Sequence, residues 1–210
     1  MRIRVASNMT PTEIHQAVAG FDRRYVEHWD TWLAAPASGR VIQLGAILRK
    51  WQAARPRTTR RPKAEAKHGP PFLEDLVAQA ELHLALLGNI GLTTLHHLTP
   101  PQYDALCQLW EILGGVAVEK PASEVGITKA VLLLTRGRIG PALDSRVRAG
   151  LGIGRVRSPK EWVRLLIAIE ADIRGFESAH GVSFRGAVPE EFRGLGWGRL
   201  YDMVLGPRER

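Results

Sequence analysis

Cysteine is almost absent from this 210-residue chain, which contains only Cys107. A single cysteine excludes an internal disulfide, a cysteine-rich zinc site and a cysteine-ligated iron–sulfur cluster. Cys107 lies in an apolar part of a predicted helix at residues 106–113, so we expect a buried, unreactive thiol. We predict no cofactor for the chain.

Long hydrophobic runs are also missing. The longest apolar stretches, such as residues 130–134, are far shorter than the roughly 20 residues that a membrane-spanning helix requires. The N-terminus has basic residues at positions 2 and 4, but no apolar segment of the kind found in secretory signals follows them. We therefore expect a cytoplasmic protein without a membrane partner.

Acidic residues are fewer than basic ones, and the formal net charge is +8 with a pI near 10.2. Residues 55–67 hold six Lys/Arg against one Glu, and residues 120–160 hold nine against two acids. Because neutralised phosphates release counterions, this charge favours nucleic acid, most of all duplex DNA, as the partner. Residues 55–71 are rich in proline without apolar periodicity and are predicted to form a mobile basic loop. In that loop, we expect Arg60 and Arg61 to contact nucleic acid.

Helix signals dominate the pattern of the chain. Thr10, Thr99 and Ser158 each precede a proline and have Glu or Gln three positions later, which is typical of capped helix starts. Apolar spacings of three and four predict helices near residues 11–35, 40–54, 72–87, 101–113, 126–135, 141–149, 159–179 and 189–205. No segment alternates with a period of two. We predict a single all-α domain over residues 1–210, a compact bundle of about eight to ten helices in two interlocked lobes.

Residues 121–150 contain the most informative pattern. Gly126 stands between two apolar residues, and an apolar helix with Lys129 in its first turn is predicted to follow. Exposed backbone N–H groups at such a helix start can bind a phosphate. A short basic connection then leads to a second predicted helix start, with Asp144 in its first turn.

This segment resembles the helix-hairpin-helix DNA glycosylase superfamily. The hairpin of that family reads apolar-Gly-apolar-Gly, then Lys in bifunctional members, then Ala, and a catalytic Asp follows in the pattern Asp-Thr/Ser-x-Val-x-Arg. Residues 125–130 match the hairpin, and residues 144–148 resemble the aspartate segment. The chain departs from the pattern in having Thr128 at the second glycine, a shorter Lys-to-Asp interval, Arg146 where a His is frequent, and no cluster cysteines.

The resemblance implies a base-excision DNA glycosylase with a helix-hairpin-helix-like element, either with or without lyase activity. In that case Lys129 attacks the sugar C1′ or contacts the substrate, and Asp144 activates the nucleophile or stabilises positive charge on the sugar. Burial beside Arg136, Arg138 and Arg146 would lower the pKa of Lys129, which must be neutral to attack. The residues expected at the DNA backbone are Gly126, Thr128, Arg136, Arg138, Arg146 and Arg148.

Plainer interpretations of the same two residues remain open. Lys129 fits a solvated lysine on an exposed helix face, and Asp144 fits an acid that only stabilises a helix start. The chain would then be a non-catalytic helical nucleic-acid-binding module. A helical protein-interaction protein, whose basic surface docks an acidic partner, is a further alternative.

Other conspicuous residues are interpreted as structural. His96 and His97 lack a third metal ligand at helical spacing, so we expect structural histidines. The six tryptophans mostly lie on apolar stripes and are predicted to be in the core. A closing helix near the C-terminus is predicted to pack on the first helix, with Arg199 and Asp202 as a surface pair.

Overall fold

Helices account for the regular structure of the computed structural model, which describes residues 2–57, 69–118 and 121–208. These parts of the chain contain no β-strand, which confirms the all-α prediction. Short 3-10 helices lie at Ala6–Asn8, Ala37–Gly39, Leu95–His97 and Glu190–Phe192. The α-helices are α1 (Pro11–Ala19), α2 (Arg23–Leu33), α3 (Arg40–Lys50), α4 (Leu73–Leu87), α5 (Pro100–Gly114), α6 (Glu124–Leu134), α7 (Ser145–Leu151), α8 (Pro159–His180), α9 (Phe184–Ala187) and α10 (Trp197–Leu205).

The predicted helix caps are present. The Thr10 hydroxyl accepts a hydrogen bond from the Glu13 N–H at 3.2 Å, and the Glu13 carboxylate accepts one from the Thr10 N–H at 2.7 Å. Thr99 and Ser158 are the N-caps of α5 and α8, each followed by proline at the first helical position. Because these caps satisfy backbone donors that the helix leaves free, they fix where three helices begin.

Two predicted long helices are each divided in the structure. The helix expected over residues 11–35 is split into α1 and α2, because the Asp22 carboxylate accepts the Arg24 N–H at 3.0 Å and starts a new helix. The helix expected over residues 189–205 is split into a 3-10 turn and α10, with Gly194 and Gly196 between them. In both places a local cap or glycine outweighs a continuous apolar pattern.

The first residues of the predicted mobile loop, 55–57, make hydrogen bonds to the segment that follows α5. The Arg57 N–H donates to the Val116 carbonyl at 2.8 Å, and the Val118 N–H donates to the Arg55 carbonyl at 3.2 Å. The Arg57 side chain also binds the Gly115 carbonyl at 2.8 Å. Residues 58–68, including Arg60 and Arg61, lie outside the described residues.

One hydrophobic core contains side chains from each of the ten α-helices found in the described parts of the chain. Within it α5 packs against α4, α6 and α8, while α10 packs against α1 and α7. The contact between α10 and α1 confirms the predicted closing helix. Five of the six tryptophans are buried, as predicted, and Trp197 is half-buried. None of the described helices is long and apolar enough to cross a bilayer.

The start of α10 lies directly against the segment that follows α6. A Cβ atom added to Gly196 would overlap the backbone of Gly137, and one added to Gly198 would overlap the backbone of Gly140. The Arg199 N–H donates to the Gly137 carbonyl at 2.9 Å. Glycine permits this close backbone approach, which places the first turn of α10 beside the chain leading to Asp144.

Candidate active site

Lys129 lies in the interior of the protein, with 6% of its surface exposed. It is in the second turn of α6, because the helix begins at Glu124, earlier than predicted. Its amine donates a hydrogen bond to the Trp51 carbonyl at 3.1 Å and lies 5.8 Å from the centroid of the Trp51 ring. The alternative of a solvated lysine is therefore wrong.

Asp144 is half-buried and is the N-cap of α7, so the predicted start of that helix at residue 141 is wrong. Its carboxylate accepts hydrogen bonds from the N–H groups of Arg146 at 3.0 Å and Val147 at 2.9 Å. The preceding Leu143 N–H donates to the Thr128 hydroxyl at 2.8 Å. The position of Asp144 thus depends on a contact with α6, the helix that carries Lys129.

Gly126 and Thr128, which were predicted to contact the DNA backbone, are packed inside the protein. Both are buried within α6, which is continuous where a hairpin was expected. A Cβ atom on Gly126 would lie 3.0 Å from the Ala53 carbonyl oxygen. The glycine therefore allows α6 to pack closely against the backbone that follows α3. The Thr128 hydroxyl is engaged on both sides, since it also donates to the Glu124 carbonyl at 2.7 Å.

Arg199 and Asp202 form a buried ion pair, so the predicted surface pair is wrong. Their exposed fractions are 2% and 6%, and the Arg199 Nη1 atom lies 2.7 Å from the Asp202 Oδ2 atom. The Arg199 guanidinium lies 4.8 Å from the ring centroid of Phe21 and 4.9 Å from that of Trp29. A charged pair in the otherwise apolar α10 was the sequence signal that could have indicated burial.

Burial lowers the pKa of the Lys129 amine, and Arg199 acts in the same direction. Asp144 and Asp202 oppose both effects. The direction agrees with the sequence prediction, but the cation beside Lys129 is Arg199 and not one of the three predicted arginines. Burial also raises the pKa of the Asp202 carboxyl against the effect of its arginine partner. One lysine and two carboxylates therefore influence one another in an environment of low polarity.

An open cleft of about 720 Å³ lies beside this cluster. Tyr25 lies between the cleft and the cluster, since its ring centroid is 5.9 Å from that of Trp51. Burial raises the pKa of the Tyr25 hydroxyl, and the negative charge of Asp144 acts in the same direction. Arg146 also lines the cleft, and its backbone N–H binds the Asp144 carboxylate. The complete lining is Asp22, Arg23, Arg24, Tyr25, Arg146, Pro207 and Arg208. Sequence reasoning missed this surface, since α2, α7 and the C-terminal segment form it together.

The predicted DNA-contacting arginines differ in their surroundings. Arg136 and Arg146 are exposed. Arg138 is half-buried, and its guanidinium binds the carbonyls of Gly88 and Ile90. Arg148 lies 3.5 Å from the Glu124 carboxylate. Arg138 and Arg148 thus connect parts of the protein, and Arg146 alone among the predicted and described arginines lines the cleft.

The remaining candidate residues lie elsewhere. The His96 Nδ1 atom contacts the carboxylate of Glu170, which is fully buried. In the described ranges, no group of three or more His, Cys, Asp or Glu side chains is arranged to hold a metal ion. Cys107 is half-buried rather than fully buried, and burial raises the pKa of its thiol. Thiolate chemistry is disfavoured by that environment.

Lys129→Met should leave the protein at least as stable as the wild type at pH 7. Since the folded state lowers the pKa of Lys129, the unfolded chain binds more protons between that folded pKa and 10.5. Wild-type stability should therefore rise through this window relative to the variant. Urea unfolding between pH 6 and pH 10 measures the difference. A loss of more than about 2 kcal/mol at neutral pH in the variant would show that the buried ammonium is stabilising overall.

Comparisons of this chain with protein-family models, with curated proteins and with solved structures find no match. Physical evidence about its function therefore comes from the residues of the site. These are the covered lysine, the two carboxylates near it and the adjoining cleft with its four arginines.

Proposed function

We propose that this chain binds duplex DNA and breaks an N-glycosidic bond, in the manner of base-excision DNA glycosylases. Lys129 and Asp144 are the reacting pair. The observation that supports the proposal most is that the segments of the buried Lys129 and the half-buried Asp144 are hydrogen-bonded to each other and lie near an arginine-lined cleft. Lysines that act as nucleophiles are often buried, because burial lowers the pKa of the amine and favours its neutral form.

The chemistry follows from the two side chains. The neutral Lys129 amine forms a bond to the sugar C1′ while the bond from C1′ to the base nitrogen breaks. The base leaves with the bonding electron pair, and the proton released from the attacking nitrogen neutralises it. The nitrogen lone pair then forms a double bond to C1′ as the C1′–O4′ bond breaks, and the remaining proton on the nitrogen passes to O4′, which gives an imine between Lys129 and the opened sugar with a free hydroxyl. The Asp144 carboxylate stabilises the positive charge that develops on the sugar.

The cleft supplies the binding surface for the DNA backbone. Its four arginines give the cleft a positive charge that suits phosphates. The Arg24 guanidinium already pairs with Asp22, and that of Arg208 binds two backbone carbonyls, so the proposal depends most on Arg146.

Tyr25 lines the cleft and packs beside Trp51, whose carbonyl accepts from the Lys129 amine. In this proposal the target nucleotide reaches Lys129 by displacing Tyr25. A base already extruded from the duplex is the form of substrate that such a recessed site accepts.

Arg146→Gln should weaken DNA binding and make it less sensitive to salt. If Arg146 neutralises one phosphate, the slope of log affinity against log salt concentration should become shallower by about 0.9. Fluorescence anisotropy with a labelled duplex over a range of salt concentrations measures the slope. Arg164→Gln is the matched control, because Arg164 is exposed on α8 and lies outside the cleft lining. Equal slopes for the two variants would show that the cleft is not part of the DNA-binding surface.

A non-catalytic nucleic-acid-binding module is the second candidate. It is favoured by the continuous α6 and by the Lys129 amine, which is covered and hydrogen-bonded to the Trp51 carbonyl. Incubating the wild-type protein with duplexes that carry different damaged bases, and assaying base release, separates the two functions. Release of any base supports the glycosylase. Salt-sensitive binding without release or covalent trapping supports the module, and the absence of binding at low salt contradicts both.

A further inference from the structure

We propose that the buried Arg199–Asp202 pair is the positioning unit of the Lys129–Asp144 site. It fixes the backbone that leads to Asp144 and holds Tyr25 at the edge of the cleft. This inference rests on the proposed function, since it assigns a role within the same site. Neither residue reaches the cleft surface, so both act through the groups that they hold.

The hydrogen bonds of the pair lead in two directions. The Asp202 Oδ1 atom accepts the Ala142 N–H at 3.0 Å, two residues before Asp144 in the chain. The Arg199 Nη2 atom donates to the Tyr25 carbonyl at 3.1 Å, while its Nη1 atom holds Asp202. Through one ion pair, α10 therefore connects the aspartate segment with the helix that lines the cleft. Loss of either side chain would release one of these connections.

The pair also acts on Lys129 through charge. The charged groups that influence the Lys129 amine are Asp144, Asp202 and Arg199, and Tyr25 lies next to Asp144. Asp202 favours the ammonium form of Lys129, whereas Arg199 disfavours it. Removing only the Asp202 charge should therefore make Lys129 lose its proton at lower pH. A purely structural role for the pair predicts no such directed change.

The experiment compares two variants with different defects. Borohydride traps the imine between Lys129 and the opened sugar, so the trapping rate should fall at low pH, where the amine is protonated. Asp202→Asn removes a negative charge near that amine. We expect this acid limb of the pH profile to move to lower pH by about one unit, as for one nearby charge at an effective dielectric near 20. Arg199→Lys keeps its charge but cannot hold both Asp202 and the Tyr25 carbonyl. It should slow trapping by about 10²-fold at every pH without moving the limb, since misplacement by about 1 Å has that effect.

A readout without DNA keeps the inference separate from the proposed function. The ¹³Cε shift of Lys129, identified by its absence in Lys129→Met, reports the titration of the amine directly. Glu170→Gln is the matched control, because it neutralises another fully buried acid that does not act on Lys129. We expect the titration midpoint to fall in Asp202→Asn and to stay unchanged in Glu170→Gln.

The outcomes are distinct. Equal midpoints and equal acid limbs in Asp202→Asn and Glu170→Gln would overturn the inference. If Asp202→Asn does not fold, wild-type trapping rates in Arg199→Lys would overturn it instead. If the midpoint moves as expected but the wild type traps no DNA, the role of the pair stands and the proposed function fails. If the wild type traps DNA and neither variant differs from it, the proposed function stands and the inference fails.

Discussion

Lys129→Met should abolish covalent trapping on a duplex that contains an abasic site. Borohydride reduces the imine between an amine and the opened sugar to a stable bond, so the adduct appears as a slower band on a denaturing gel. Methionine has a similar length but cannot form an imine, so we expect trapping to fall by about 10³-fold or more, the scale seen when a nucleophile is removed.

The matched control for this result is Lys160→Met. Lys160 is an exposed lysine in the first turn of α8, so its loss should leave trapping at the wild-type level. Circular dichroism of Lys129→Met should be unchanged, because methionine has a similar length and suits the buried position of Lys129. Full trapping in Lys129→Met would show that another amine reacts, and the assignment of Lys129 would then be wrong.

Asp172→Ala should cause the largest loss of stability of any single change considered for this protein. The Asp172 carboxylate, on α8, accepts hydrogen bonds from the N–H groups of Val5, Ala6 and Ser7, from the Ser7 hydroxyl, and from the Tyr201 hydroxyl at 2.8 Å. We expect the free energy of unfolding to fall by about 4 kcal/mol, because the buried Ala6 N–H and Tyr201 hydroxyl lose their acceptor and each unsatisfied buried donor costs roughly 1–3 kcal/mol.

Urea unfolding of two further variants tests this explanation. Arg174→Ala changes an exposed residue on the same helix and should alter stability by less than about 0.5 kcal/mol. Asp172→Asn keeps one acceptor oxygen and should lose less stability than Asp172→Ala. If all three variants were equally stable, the five hydrogen bonds would have no net effect on folding.

The helical fold was predictable because its main signals are local. Caps such as Thr10 and Ser158 satisfy backbone donors within one turn, and apolar spacing marks the buried face of each helix. The breaks within the two long predicted helices were missed. Asp22 caps α2, although the sequence was equally compatible with a solvated acid inside one long helix. The Asp22 N–H also donates to the Pro207 carbonyl, a contact that exists only in the folded chain.

The candidate site was predictable only in part. Local patterns identified Lys129 and Asp144, but whether their side chains are buried or exposed depends on helices from distant parts of the sequence. Arg199 shows this limit most clearly. Its charge suggested an exposed side chain. In the fold the guanidinium forms an ion pair with Asp202 and lies near three aromatic rings, those of Phe21, Trp29 and Trp51. Desolvation of this kind follows from tertiary packing and leaves no periodic signal.

The close approach of Gly196 and Gly198 to the segment at residues 137–140 determines which side of the site is rigid. The backbones touch without intervening side chains, and the Asp202 carboxylate holds the Ala142 N–H, so the segment that leads to Asp144 is packed rigidly against α10. The Tyr25 side chain lines the open cleft, whereas its backbone carbonyl is held by Arg199. A nucleotide that enters the site would therefore displace the Tyr25 side chain and leave the backbone on either side of it in place.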